Sequence, residues 1–511
     1  MSDWTAGYVA DIDYTYGYYT ELNPLRAKLA FLSSGFAFPE VGAACELGFG
    51  QGLSANVHAA ASVIDWHGTD FNPAHAGFAQ SLAGASGAKA HWEGEGFAEF
   101  CGRTDLPDFD YIGLHGIWSW ISDENRHVIV DFVRRKLKVG GVLYLSYNAM
   151  PGWTAFAPMR HLMTQHAGTM GSMGAGIVSR IEGALTFVDK LLETNPAYAR
   201  LNPALSERLG SVKGQSRNYL AHEYFNRDWH PMYFSTIAEW LTPAKVNFAC
   251  SAHYLDHVEA INLTPEQRQF MSEIPDAMLR ESVRDFMLNQ QFRKDYWVKG
   301  ARKLNLLERS EALRAQRVVL VTHRPDVSLK SSGPLGEITM IPELYNAVLD
   351  ALADHAPRSI GEVEATLAPA GLSLSHLVEV LMVLTGTGDV VAAQADDVVN
   401  RTQKQTSALN AALMDKARWG NDIGVLASPV TGGGFAISRF HQLFVHALSA
   451  GKTLPGEWAA HAWAILQVHG EAIVKDGAAL EGDAANMAEI TMQAETFAVK
   501  LLPVVKSLQI V

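Results

Sequence analysis

The stretch "AACELGFGQGLSANVHAAASV" (residues 43–63) constrains the fold more than any other. A short apolar run ends on an acid and a leucine, glycines follow at every second position, and a helical pattern starts at once. That is a strand, a tight loop and a helix, the opening unit of a parallel α/β sheet. The rhythm repeats downstream. "IDWHGTD" (64–70) reads as a second strand ending on Asp70, followed by the crossover helix "NPAHAGFAQSLAGA" with Asn72 as N-cap and Pro73 at its first position. "AKAHW" (88–92) and "FDYIGLHG" (109–116) read as the third and fourth strands, "SDENRHVIVDFVRRKLK" as a helix capped by Ser122, and "GGVLYLSYN" (140–148) as the fifth strand. Strands with helical crossovers predict a doubly wound parallel sheet whose ligands sit at the carboxyl ends of the strands.

The loop itself departs from a dinucleotide fingerprint. G-x-G-x-x-G would need a glycine at position 53, where Leu53 stands; the pattern is E-x-G-x-G-x-G, with Glu46, Gly48, Gly50 and Gly52. A carboxylate ending the strand suits a ligand amine and repels a phosphate. Asp70, at the end of the second strand, is placed to accept hydrogen bonds from ribose hydroxyls. An amine beside a ribose describes S-adenosylmethionine (SAM); NAD, FAD or a turn with no ligand are the alternatives.

The chain has 511 residues, too long for one core, and carries a net charge of −13. An acidic balance supplies no global attraction to nucleic acid or anionic lipid, so neither is expected as a partner. The opening "MSDWTAGYVADIDYTYGYY" has no basic region followed by an apolar one, and no membrane-spanning run follows; a cytoplasmic location is expected. Cys45, Cys101 and Cys250 lack metal-ligand spacing and are expected as buried thiols, with no metal site.

"YGYYTELNPLRAKLAFL", "LHGIWSWIS", "GGVLYLSYNAMPGW", "NYLAHEYFNRDWHPMYF" (218–234), "RESVRDFMLNQQFRKD" (280–295) and "GVLASPVTGG" (424–433) together touch most of the chain. In this combination the sequence resembles the class I SAM-dependent methyltransferases that carry a methyltransferase regulatory domain, among them the rickettsial outer-membrane-protein lysine methyltransferases. The resemblance implies a seven-stranded Rossmann-like sheet and methyl transfer to a protein. It also implies that Glu46 takes the methionine ammonium, and that Gly48, Gly50 and Gly52 leave room for the methionine chain and ribose. Asp70 would hold the ribose diol with Phe71 beside the adenine. Glu95, Gly96 and Phe97 are candidates for the adenine edge, with Glu93 as an alternative acid. His115 would line the methionine end, either as a satisfied strand-end histidine or as a catalytic group.

An acceptor lysine must be held in line and favoured as the neutral amine, which desolvation among aromatic rings achieves. Candidate walls are Tyr16, Tyr18 and Tyr19, Trp118 and Trp120, Tyr147 and Trp153; candidate proton acceptors are Tyr147, His222 and Glu223.

The SAM-binding core is therefore expected over residues 1–155. A mostly helical middle region follows over 156–325, including "GAGIVSRIEGALTFVDKLLE" and "PDAMLRESVRDFMLNQQFRKDYW", with "KVNFACSAHY" (245–254) and "RVVLVTH" (317–323) as antiparallel sixth and seventh strands. After a linker at 324–337 come a winged-helix-like unit (338–400), too poor in basic residues for DNA, and a helical C-terminal domain (405–511). The segment 335–511 is expected to recognise protein and to be dispensable for cofactor binding. Three functions fit: lysine methylation of a protein, methylation of a small molecule, or SAM-binding regulation without turnover. A homo-oligomer is compatible with each.

Overall fold

The computed structural model describes residues 15–171 and 176–511, so residues 1–14 and the first two residues of the expected helix at 174–193 lie outside the described residues. β1 (Ala43–Leu47), β2 (Asp65–Thr69), β3 (Ala90–Glu93), β4 (Phe109–Leu114), β5 (Leu137–Asn148), β6 (Val246–Ser251) and β7 (Phe292–Lys299) form one mixed sheet in the order β3-β2-β1-β4-β5-β7-β6. The strand order reverses at β1/β4, the point where α/β sheets hold their ligands. The expected caps are in place: Asn72 Oδ1 accepts from the Ala74 amide, and Ser122 Oγ from that of Asn125.

Two expectations about the sheet are corrected. The seventh strand is "FRKDYWVK", which pairs antiparallel with both β5 and β6, so β7 alone runs against the others. Its charged residues disguised it, because Arg293 and Asp295 are buried against one another at 3.0 Å and not exposed. The preceding helix stops at Leu288, where Asn289 takes a left-handed conformation (φ +48°). The "RVVLVTH" run instead supplies β8 (Arg317–Leu320), the centre of a small antiparallel sheet with Arg358–Ser359 and Val390–Ala393. The three-helix unit (Pro342–Ala351, Ile360–Leu367, Leu374–Thr387) is thus built around a strand upstream of residue 338, and the expected linker holds a hairpin, Lys330–Gly333 with Gly336–Thr339.

The C-terminal unit packs on the helices Leu53–Ala61 and Pro73–Ser86. Leu53, Val57, Ala60 and Leu82 share one apolar cluster with Leu409, Val425, Phe444 and Trp458. Gln394 donates to the Ala61 carbonyl at 2.7 Å, and the Gly434 amide to the Tyr18 hydroxyl at 2.6 Å. The helix that follows the glycine loop is therefore buried on its outer face by residues more than 300 positions away. Cys45, Cys101 and Cys250 are buried free thiols.

Candidate active site

A cavity of about 290 Å³ opens at the carboxyl ends of the strands. Glu46, Gly48, Gly50, Asp70, Phe71, Glu95, Gly96, Phe97 and His115 line it. Gly52 does not. It is the N-cap of the helix Leu53–Ala61 (φ +69°), and a Cβ there would sit 2.5 Å from the Ala79 Cβ, so its smallness serves helix packing.

Glu46 is only 2% exposed, and its Oε2 has no hydrogen-bond partner. Burial, with a smaller contribution from the neighbouring Asp70 charge, pushes its pKa up to about 8. A buried carboxylate without a cation is costly, and a ligand ammonium would supply what is missing. Asp70 is fixed by the groups around it: Oδ2 accepts from the Gly50 amide at 2.9 Å, and Oδ1 accepts from the Asn72 amide at 3.0 Å and lies 3.2 Å from His75 Nδ1. The loop is tied to β2 a second time where the Gly48 amide donates to the Thr69 carbonyl at 2.8 Å. Of the two acids after β3, Glu93 turns to Arg103 at 3.0 Å while Glu95 lines the cavity.

His115 is held on both sides. Its ring stacks on Tyr19 at 3.8 Å between centroids, and its Nδ1 lies 2.8 Å from the Tyr144 hydroxyl. Burial, opposed by the Glu21 charge, lowers its pKa to about 4, so the imidazole is neutral near pH 7. Tyr19 and Trp120 are the aromatic candidates that reach the cavity.

The structure does not bring the other candidates there. Trp118 is fully buried and packs on Trp240; Tyr16 packs on Phe78, Tyr18 meets Gly434, and Trp153 donates to the Gln291 carbonyl. Tyr147 donates to Asp295 Oδ2 at 2.8 Å, inside a buried network in which Arg293 also binds Asp285 and Glu281. Burial and the Asp295 charge hold that phenol well above its usual range, and it does not line the cavity. His222 and Glu223 lie on the helix Arg217–Tyr224, and burial raises the Glu223 carboxyl to about 7; neither lines the cavity.

Sequence reasoning missed Arg227 and Asp228, which follow that helix and line the cavity, along with His75, Ile117 and Asn125. The signal was present: both charged residues lie inside the quoted "NYLAHEYFNRDW". His75 was equally legible as a polar residue in the first turn after the Asn72 cap.

Comparison with known proteins follows the same geometry. Residues 216–299 match the family described as a predicted methyltransferase regulatory domain. That segment contributes Arg227, Asp228, β6 and β7, so it completes the sheet and the cavity wall. Over 512 aligned residues the chain is 39% identical to the uncharacterized protein sll1526 of Synechocystis sp., covering 99% of each. It is 26% identical to the uncharacterized protein RP789 of Rickettsia prowazekii over 211 residues, 40% of this chain and 37% of that one. Its fold matches PKMT2 from Rickettsia typhi, solved in complex with AdoHcy, with a TM-score of 0.67 and 16% identity, covering 96% of this chain and 98% of that one. With a full-length relative at this identity, the regulatory-domain segment and this sheet order, the chain belongs to the class I SAM-dependent methyltransferases that carry a methyltransferase regulatory domain.

Proposed function

We propose that the protein transfers methyl groups from SAM to lysine side chains of a protein substrate. One observation carries the cofactor assignment: the buried carboxyl of Glu46, its Oε2 without a hydrogen-bond partner, near the end of β1 in a strand-end cavity. Glu46 would take the ammonium of the methionine moiety, Asp70 the ribose hydroxyls, and Phe71 with Glu95 and Phe97 the adenine. Bound SAM supplies a sulfonium methyl that needs no further activation. The chain supplies placement. Tyr19 and Trp120 wall the cavity with aromatic faces that attract an arriving ammonium and then, by excluding water, favour the neutral amine that can attack. Asp228, paired with Arg227 at 3.3 Å, also lines the cavity and would offer that ammonium a carboxylate oxygen. His115, lowered by burial to about 4, is a weak base and stays neutral there near pH 7.

Support for a protein acceptor comes from the fold shared with PKMT2 along nearly the whole chain, accessory units included. The test is incubation with isotopically labelled SAM and a fractionated lysate, followed by amino-acid hydrolysis of labelled bands. Label recovered as methyl-lysine is the expected result. Label confined to small molecules, or to ester linkages that alkali cleaves, overturns the acceptor assignment while leaving SAM binding intact.

A further inference from the structure

We propose a binding site for one zinc-class divalent cation formed by Asp65, His67 and His91, at the end of the sheet opposite the cofactor cavity. Asp65 and His67 lie two residues apart on β2 and so share one face, and His91 on the edge strand β3 stands in direct register with His67. Their rings stack with centroids 4.5 Å apart and planes 22° from parallel. Both Nε2 atoms converge on Asp65 Oδ1, from 3.1 Å for His91 and 3.7 Å for His67. All three donor atoms lie within 4.8 Å of one another, and among the described residues no other group of three such side chains does so.

The two nitrogen–oxygen separations suit an ion, which both imidazoles would meet by turning out of their stack. Tetrahedral bonds of about 2.0–2.1 Å place ligand atoms about 3.3 Å apart, close to both measured edges. At 3.7 Å, His67 Nε2 is too far from the carboxylate for a good hydrogen bond, and it is a buried nitrogen with no hydrogen-bond partner. A ring nitrogen buried without a partner beside a carboxylate and a second imidazole is the arrangement a cation satisfies. Arg103 lies near enough to act on His67, but Asp105 at 2.7 Å and Glu93 at 3.0 Å compensate its charge. Two imidazoles and one carboxylate select zinc or a neighbouring transition metal over magnesium or calcium, which prefer all-oxygen shells. Asp65 precedes the ribose acid Asp70 by five residues on an extended strand, about 16 Å, so the ion would pin the edge strand β3 to β2 and take no part in methyl transfer.

The experiment is calorimetric titration of the chelator-stripped, full-length protein with Zn2+, repeated on His67→Asn, His91→Asn and, as a control, the exposed His376→Asn. One equivalent is expected to bind wild type and His376→Asn alike, with affinity reduced at least about tenfold in the two ligand variants. Zn2+, but not Mg2+, should also raise the thermal midpoint of wild type and leave that of His91→Asn unmoved. His91 is half exposed, so its replacement leaves the fold intact even if that of His67 does not. Failure of wild type to take up a stoichiometric ion, or unchanged uptake by His91→Asn, overturns the proposal.

Discussion

The Asp70 carboxylate accepts a hydrogen bond from the Gly50 amide at 2.9 Å, so the acid that faces the cavity also fixes the loop forming its floor. Removing it disturbs two things at once. Asp70→Ala should weaken binding of SAM or its demethylated product by roughly 10–100-fold, about 1–3 kcal/mol, because it loses acceptors for the ribose and for a buried amide together. Asp70→Asn keeps one carbonyl oxygen for Gly50 and should lose less. Calorimetric titration reads both, and wild-type affinity in the alanine variant would show that the ribose lies elsewhere.

Glu46 should make stability fall with rising pH. Its carboxyl is raised from the usual carboxylate range to about 8 in the folded chain, so between these values the folded state holds a proton that the unfolded state has released. Over that window the unfolded form binds fewer protons, and stability therefore declines as pH rises from about 4.5 to about 8. Glu46→Gln should flatten this slope in melts taken from pH 5 to 9. The same substitution should reduce SAM affinity at least tenfold, because the ligand ammonium loses its partner. An unchanged pH profile would mean that Glu46 is already compensated in the free protein.

Much of this was legible in the sequence because it is local. The first five strands, the Asn72 and Ser122 caps and the acids after β1 and β2 all follow from spacing within a few residues. β7 was not legible, because Arg293 and Asp295 read as solvent-facing and are in fact buried against each other and Tyr147. The same network explains why Tyr147, an aromatic at a strand end, serves packing and not the cavity. Trp118 and Trp120 are two residues apart in one 3-10 turn, yet one is core and the other lines the site. Only the packing of that turn decides which. Arg227 and Asp228 stand inside a quoted motif, but that this segment, more than 150 residues beyond Asp70, packs against the cavity is set by the tertiary fold and not by any local pattern.

Gly50 and Gly52 should separate by experiment although they look alike in sequence. Gly50 lines the cavity with φ +58°, so Gly50→Val should abolish cofactor binding. Gly52→Ala should instead lower stability by about 1–3 kcal/mol through the clash with Ala79. Part of that loss should return in the double variant Gly52→Ala with Ala79→Gly, the remainder reflecting the positive φ. Denaturant melts beside ligand titration distinguish the two sites. Equal loss of affinity in both variants at intact stability would place Gly52 in the cofactor site after all.

Removing the C-terminal third should cost the fold before it costs substrate recognition. Leu53, Val57, Ala60 and Leu82 are at most 1% exposed, and their cover comes from the helix Asp396–Ala417 and the hairpin Val425–Ala436. A chain ending at Ser332 would bare that face, and each of the larger side chains would lose about 1.5–3 kcal/mol of burial. The affected helix begins at Gly52, directly after the cofactor loop, so its loosening would spread to Gly50 and through it to Asp70. We therefore expect the truncated chain to aggregate or to melt without cooperativity, and to bind SAM no better than its residual folded fraction allows. Replacing Leu53 and Val57 by polar residues in the truncated chain should improve solubility without restoring affinity. A truncated chain with a cooperative melt and affinity within tenfold of the full-length protein would instead show that the α/β unit closes its own core.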